Sequence, residues 1–360
     1  MSSQTNVTLS DTDNNPGTPV KTAAIVLYSF IITIALAGNI FVIYILYRKI
    51  KTRRLTSFMY VNLAVADLLV TCFAMPHQLQ AILMDNRWFG GAFGDFLAKF
   101  VAFTFFVAVM ASVYSLTTIA FDSFFSIVLS LRQFPRFRNQ KILVPSIWLF
   151  SMCAMSPWLL IIKVRNPTGQ FFQIQQEFSQ FGDKNSVIRG VYLYVVAIIY
   201  VFPLAIMSFL YGCICQKLRS HKIPGASVSH DEARLRMNKT KRQMIKTSIA
   251  IVIAFALCWL PTHICHVMFA VDRVWAFRKF PFFHYFMLVS FWCGHANSAV
   301  NPWMLIYFKK RFRAEFGKMV TLPFSRMSTT SHFNFRETST KRPSSKAVTL
   351  TDFCQVTSSL

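Results

Sequence analysis

The chain has 360 residues, 54% of them hydrophobic and only 14% charged, with a formal charge of +24 at neutral pH. Soluble domains carry about 25% charged residues, so an ordinary soluble globule is excluded. The basic excess alone would admit a nucleic-acid binder, and its distribution along the chain argues against one.

Residues 1–22 are polar and hold Asn6-Val7-Thr8, a glycosylation acceptor that predicts a terminus outside the cell. No charged stretch precedes a short apolar core, so no cleavable signal peptide is expected, and the first span is read as the insertion signal. Seven apolar runs follow, at about 23–47, 58–83, 96–128, 142–162, 190–216, 247–270 and 282–308. Runs of about 20 apolar residues read as spanning helices, because helices and closed barrels alone satisfy their backbone hydrogen bonds in lipid. The connections 48–57, 129–141 and 217–246 with segment 309–318 hold 23 Lys or Arg, and the alternate segments hold 10. That asymmetry predicts an outside N-terminus and a cytoplasmic C-terminus in a multi-pass plasma-membrane protein. The positive charge is thus topology plus attraction to anionic inner-leaflet lipid, and no nucleic-acid partner is expected.

Between the spans, loop 163–189 carries Gln170-Phe171-Phe172-Gln173-Ile174-Gln175-Gln176. A short hairpin over the bundle mouth and a plain disordered loop both fit it. Pro224-Gly225 breaks the loop after the fifth span, and from Glu232 good helix formers extend the sixth. Phe312 and Phe316 stand at i, i+4 among cations, which predicts an interfacial helix over 309–319 with its aromatic face in lipid. Residues 320–360 are Ser/Thr-rich and read as a disordered tail. The terminal Ser358-Ser359-Leu360 fits the form that PDZ domains take, a hydroxyl two residues before an apolar carboxylate end.

Asp67 lies in the second run, where an unpartnered carboxylate costs several kcal/mol, so it is a functional candidate by default. Pro203, Pro261 and Pro302 lie inside runs, where each removes a helical hydrogen bond and bends its helix. Cys258-Trp259-Leu260-Pro261 closes the sixth run and Asn297-Ser298-Ala299-Val300-Asn301-Pro302 sits in the seventh. With Gly38-Asn39, Asn62-Leu63-Ala64-Val65-Ala66-Asp67, Trp148, Pro157, Pro203, Tyr211 and Phe255, these motifs resemble the rhodopsin-like (class A) G-protein-coupled receptors over nearly the whole chain. The stretch Leu63–Pro76 looks most like neuropeptide receptors.

The resemblance implies an all-α fold, a seven-transmembrane helix bundle with a short amphipathic eighth helix. It implies a receptor for an extracellular ligand that acts on a heterotrimeric G protein, an arrestin or both. Around Asp67 it places Ser112, Asn297, Ser298 and Asn301, an oxygen set suited to an allosteric sodium ion; a protonated or water-bridged carboxylate is the alternative. No other cofactor is expected, and no nucleophile–base pair supports an enzyme. Phe255, Trp259 and Pro261, with Pro203, Tyr211 and Pro302, form the implied switch.

Three departures stand out. The third span ends Ala120-Phe121-Asp122-Ser123-Phe124, where the family reads Asp-Arg-Tyr, so the arginine is absent. The seventh reads Asn301-Pro302-Trp303-Met304-Leu305, with Leu305 in place of the family's tyrosine. The outer cysteine position is Ala98, and loop 163–189 has no cysteine, so no structural disulfide is expected and the loop should be untethered. With the arginine gone, Asp122 is expected to meet Lys241 or Arg242, making Asp122, Ser123, Lys241 and Leu305 the transducer face.

Phe105 stands where amine receptors keep an aspartate, and the seventh span has no lysine for retinal. The expected pocket of His77, Gln78, Phe105, His263, His266, Phe291 and His295 suits a peptide, ahead of a neutral lipid-like ligand. Ser123 and Leu305 also keep open a decoy or scavenger that internalises ligand without G-protein turnover.

Overall fold

The computed structural model describes residues 17–50, 55–129, 139–166, 172–220, 228–280 and 282–319, and of residues 49–50, 220, 228–241 and 273–274 the backbone alone. Asn6, the break at 221–227, the tail from 320 with Ser358 and Leu360, and the side chain of Lys241 lie outside the described residues.

Helix α1 (Thr18–Tyr44) runs into a π-wound turn, Ile45–Ile50. Helix α2 (Leu55–Leu83) contains a second π-wound turn at Val70–Ala74, just before Pro76. After a turn in which Asp85 and Asn86 take positive φ come strand β1 (Arg87–Trp88) and helix α3 (Gly91–Ile127). Helix α4 (Gln140–Ile161) is interrupted at Ser156, and Pro157 opens its last turn. Strands β2 (Ile162–Arg165) and β3 (Phe172–Gln176) lead to helix α5 (Lys184–Arg219). Asp183 caps α5 by accepting from the Ser186 amide at 2.9 Å, a bond that holds its carboxyl below the usual range. Helix α6 (Val228–Lys279) kinks at Asp272, helix α7 is Phe283–Phe308, and helix α8 covers 310–319.

Helices α1 to α5, and α6 over Arg242–Asp272, are long and apolar enough to cross a membrane. Helix α7 carries His295, Asn297, Ser298 and Asn301 and closes the bundle by packing on α1, α2 and α6. Large apolar side chains such as Phe30, Phe209, Leu257 and Val289 face outward, as hydrocarbon requires, while polar side chains turn inward. This is a multi-pass membrane protein.

Where Pro302 strips a helical hydrogen bond inside the bundle, a neighbouring side chain takes over. Pro302 cannot donate to Ser298 O, four residues back, and Asn39 Nδ2 donates to that carbonyl instead at 2.9 Å. Gly38 lets α1 come this close, since a Cβ there would stand 2.6 Å from Pro302 Cγ. The π-wound turn Val196–Val201 precedes Pro203, and Tyr114 donates to Ile198 O within it at 3.2 Å. Tyr200 donates to Ala256 O at 2.9 Å, one turn before Pro261.

The structure corrects the expectation of an untethered outer loop. β3 pairs with both β1 and β2 in an antiparallel sheet of order β1-β3-β2, so the loop is stitched to the α2–α3 connection. Asp95 at the top of α3 accepts from Val164 N at 3.3 Å and pairs with Lys99. Arg165 pairs with Glu177 at 2.6 Å, and Tyr192 on α5 donates to Gln176 at 2.8 Å. Sheet pairing and side-chain bonds hold the loop where a disulfide was looked for; every described cysteine is free. The aromatic face of α8 is a second correction. Phe312 is 2% exposed, and Phe316 packs edge-on against Phe41 and Trp303, so this face meets the bundle rather than lipid.

Gly94→Ala should loosen this clasp, because the added methyl would collide with the Phe89 carbonyl oxygen next to β1. A loss of about 1–3 kcal/mol is expected, the usual cost of overpacking. Thermal denaturation of the purified protein should show the drop, whereas a reducing agent should leave the wild-type midpoint unchanged. A reductant-dependent midpoint would reveal a disulfide and contradict the non-covalent clasp.

Candidate functional site

Inside the end of the bundle that the sheet covers lies a cavity of about 530 Å³. Its floor is aromatic. Phe106 stacks on Trp158 with ring centroids 4.1 Å apart, and Phe105 leans on Trp259 at 6.1 Å. Its α6 wall presents His263 and His266, one turn apart, with centroids 5.4 Å from each other. Gln175 and Gln176 of β3 form the roof, and Tyr192, Phe269 and Phe291 complete the wall. Among the described residues, no carboxylate, ammonium or guanidinium lines the space. Both ring nitrogens of His263, Nδ1 of His266 and Nε1 of Trp259 are buried without a hydrogen bond. The cavity thus offers apolar surface together with open donor and acceptor positions, and no formal charge.

Four of the seven residues expected here, Phe105, His263, His266 and Phe291, line the cavity. His77, Gln78 and His295 do not. His295 is 3% exposed; its Nδ1 hydrogen-bonds the Tyr28 hydroxyl at 3.1 Å and its ring meets Phe105 edge-on from behind. His77 packs against Trp88 at 5.1 Å, beside β1. Helical spacing placed these residues near the mouth, and partners in α1 and β1 drew them out of it. Trp158, Tyr192, Gln175 and Gln176 were missed as lining. The amide-rich loop was the one signal for the last two.

From the cavity an aromatic chain descends α6. His263 meets Trp259 at 6.1 Å and Tyr200 at 4.5 Å, and Trp259 meets Phe255 at 6.4 Å. Pro261 lies between Trp259 and His263 on the helix. The ring contacts thus run past the point where α6 lacks a backbone hydrogen bond.

Beneath this chain Asp67 is 1% exposed and accepts from Asn301 Nδ2 at 2.8 Å. Thr71 donates to the Asp67 backbone carbonyl at 2.6 Å. Asn62 bridges α2 to Ser115 at 2.7 Å, and Trp148 of α4 donates to it at 2.7 Å. Ser112 Oγ, Asn297 Oδ1 and Asn301 Oδ1 are buried oxygens without a hydrogen bond. A carboxylate with three orphan neutral oxygens of the expected set is a donor set that fits a small hard cation.

At the opposite end Asp122 is buried and accepts from Thr56 Oγ1 at 2.8 Å. The expected partner Arg242 instead reaches Leu218 O at 3.4 Å. Ser123 turns back on its own helix, donating to Ile119 O at 2.8 Å, and Leu305 is 1% exposed. Tyr211 is buried and its hydroxyl makes no hydrogen bond. Pro203 is buried within α5.

The family model of the seven-transmembrane receptors of the rhodopsin family matches residues 38–307. The chain is 28% identical over 313 residues to the neuromedin-K receptor of Homo sapiens, covering 86% of this chain and 64% of that receptor. It is 29% identical over 293 residues to the substance-K receptor of Homo sapiens, with 80% and 70% covered. To the neuropeptide Y receptor type 2 of Mus musculus it is 30% identical over 305 residues, with 82% and 77% covered. The chain spans just under two thirds of the length of the neuromedin-K receptors it matches.

Asn301→Ala removes the 2.8 Å hydrogen bond that α7 gives to the buried Asp67 carboxyl. The expected destabilisation is about 1–3 kcal/mol, read as a lowered thermal midpoint of the purified protein. An unchanged midpoint would mean that Asp67 finds an equivalent donor elsewhere.

Proposed function

Because the chain belongs to the rhodopsin family of seven-transmembrane receptors, we propose that it is a plasma-membrane receptor for a peptide. Its N-terminus is outside and its basic end is cytoplasmic, in line with the Lys and Arg asymmetry. The observation that carries the reading is the continuous aromatic path from the uncharged cavity through His263, Trp259 and Phe255 to the Pro261 bend.

Ligand entering under the β3 roof meets the open nitrogens of His263 and His266 and the Trp259 indole. A peptide segment supplies what this lining lacks, backbone amides that donate and accept and an apolar side chain for the aromatic floor. A free amine or carboxylate would find no counterion in the lining. The relatives named for neuromedin-K, substance-K and neuropeptide Y support a peptide here. Pressure on Trp259 bends α6 about Pro261 and shifts its inner half, which changes the face offered to a G protein or an arrestin.

Asp67, Ser112, Asn297, Ser298 and Asn301 are the residues that would hold a sodium ion. Bound there, the ion neutralises a carboxylate that is otherwise costly to bury. A sodium ion held by these residues would stabilise the closed bundle, and linkage then requires that sodium and agonist lower each other's affinity by one factor.

A second reading has its own observation. Ser123 places no charge where the family resemblance implies an arginine, and Leu305 no hydroxyl where it implies a tyrosine. A receptor so altered could capture and internalise peptide without turning over a G protein.

One experiment separates these readings. Cells expressing the full chain are screened with peptides, recording G-protein dissociation and arrestin recruitment in sodium and in choline medium. An activating peptide is expected to weaken roughly tenfold or more with His263→Ala, the loss typical of a central anchor, and to bind more tightly in choline. Asp67→Asn should abolish the sodium dependence. Saturable peptide uptake with neither transducer engaged would establish the decoy reading instead.

A further inference from the structure

Among the described residues, two hydrogen bonds tie the inner half of α6 to α2 and α7, alongside the bond of Arg242 to Leu218 O of α5. The Tyr60 hydroxyl of α2 meets Ser248 Oγ of α6 at 3.2 Å, with both side chains buried. Gln243 Nε2, one turn nearer the end of α6, donates to Phe308 O at the end of α7 at 2.6 Å. Ser248 commits its own proton to Met244 O at 3.2 Å. The Tyr60 phenol must therefore be the donor in the link, with Ser248 accepting.

A phenol that donates its proton keeps an electron-rich ring, and a cation lies on that ring. Lys309 Nζ is 3.8 Å from the Tyr60 ring centroid and 5.7 Å from that of Phe312. Lys309 follows the last residue of α7 and its carbonyl accepts from Arg313 N, so the ammonium is carried on the hinge between α7 and α8. Burial pushes that ammonium down to about 7, and the ring face of Tyr60 offsets part of this cost for the protonated form.

Thr56, one turn from Tyr60 on the same helix, holds Asp122. One face of α2 therefore gathers the inner ends of α3, α6 and α7. Tyr211 of α5 stands beside Tyr60 and Ser248 without meeting hydrogen-bond geometry.

We propose that Tyr60 and Lys309 are positioning residues of the switch: the phenol latches α6 closed through Ser248, and the ammonium on its ring keeps the phenol aimed at α6. The Gln243–Phe308 bond is the second half of the latch. This rests on the proposed reading in which α6 moves to signal. It goes beyond that reading in placing a closing contact between α2 and α6.

Hydrogen–deuterium exchange on the purified, ligand-free full chain tests the latch without any transducer. Tyr60→Phe removes one oxygen and keeps the ring, and Ser248→Ala removes the acceptor. Each should speed exchange of the amides in 242–252 by roughly fivefold, the effect of one lost hydrogen bond, with the outer half of α6 unchanged. The double variant should exchange no faster than either single one, since both remove the same bond. Lys309→Met should give a smaller acceleration in the same segment, and Lys309→Arg should restore wild-type exchange.

Unchanged exchange in 242–252 for Tyr60→Phe and Ser248→Ala would overturn the proposal. Acceleration spread evenly over all helices would also overturn it, reducing the pair to general packing. Faster exchange confined to 242–252, in a protein that never engages a transducer, would leave the latch standing and sink the signalling reading alone.

Discussion

A helix in hydrocarbon has no solvent to pair a carbonyl that a proline has released, so another side chain of the bundle must do it. That constraint organises this structure. Asn39 takes the carbonyl that Pro302 frees at Ser298, while Tyr114 and Tyr200 bond backbone carbonyls in the turns that precede two other prolines, Ile198 O before Pro203 and Ala256 O before Pro261. The backbone around each proline is thereby tied to a neighbouring helix.

The two ends of the protein solve the loss of a strong tie in the same manner, by distributing it. Above, where no described cysteine is paired, three strands, an aspartate on a backbone amide and a tyrosine on a glutamine hold the roof. Below, where no arginine follows Asp122, hydrogen bonds to α2, α5 and α7 hold α6, and a cation lies on the ring of the α2 tyrosine. Several weak links open at lower cost than one covalent bond or one buried ion pair. They also fail independently, so single substitutions at either end should shift an equilibrium rather than abolish folding.

Much of the fold was legible because lipid leaves few options. The seven apolar runs, the prolines and the inward polar residues follow from hydropathy and from the cost of unpaired groups, and α1 to α7 lie where those runs lie. The site was legible where a residue's helix alone decides its direction, as for Phe105, His263 and His266. It was not legible where a distant partner decides. His295 was expected in the cavity, yet Tyr28, 267 residues away in sequence, turns it aside. The loop was expected free because its missing cysteine was visible, while strand pairing between residues 87–88 and 172–173 leaves no periodic trace in so short a segment. Tyr60 reads as one more aromatic in an apolar helix, and only the approach of Ser248, 188 residues on, gives it a role. Lys309 was assigned to the membrane surface by its charge and is instead folded under the bundle by Phe312.

The central claim is that occupation of the cavity moves the inner half of α6 about Pro261. The direct measurement is the distance between spin labels introduced as non-natural residues at Lys246 on α6 and Phe58 on α2, both exposed positions. In the purified protein, a peptide that saturates the cavity should shift the distance distribution to longer values, and Pro261→Ala should suppress the shift while peptide still binds. A distribution that stays the same with the cavity saturated would contradict the account.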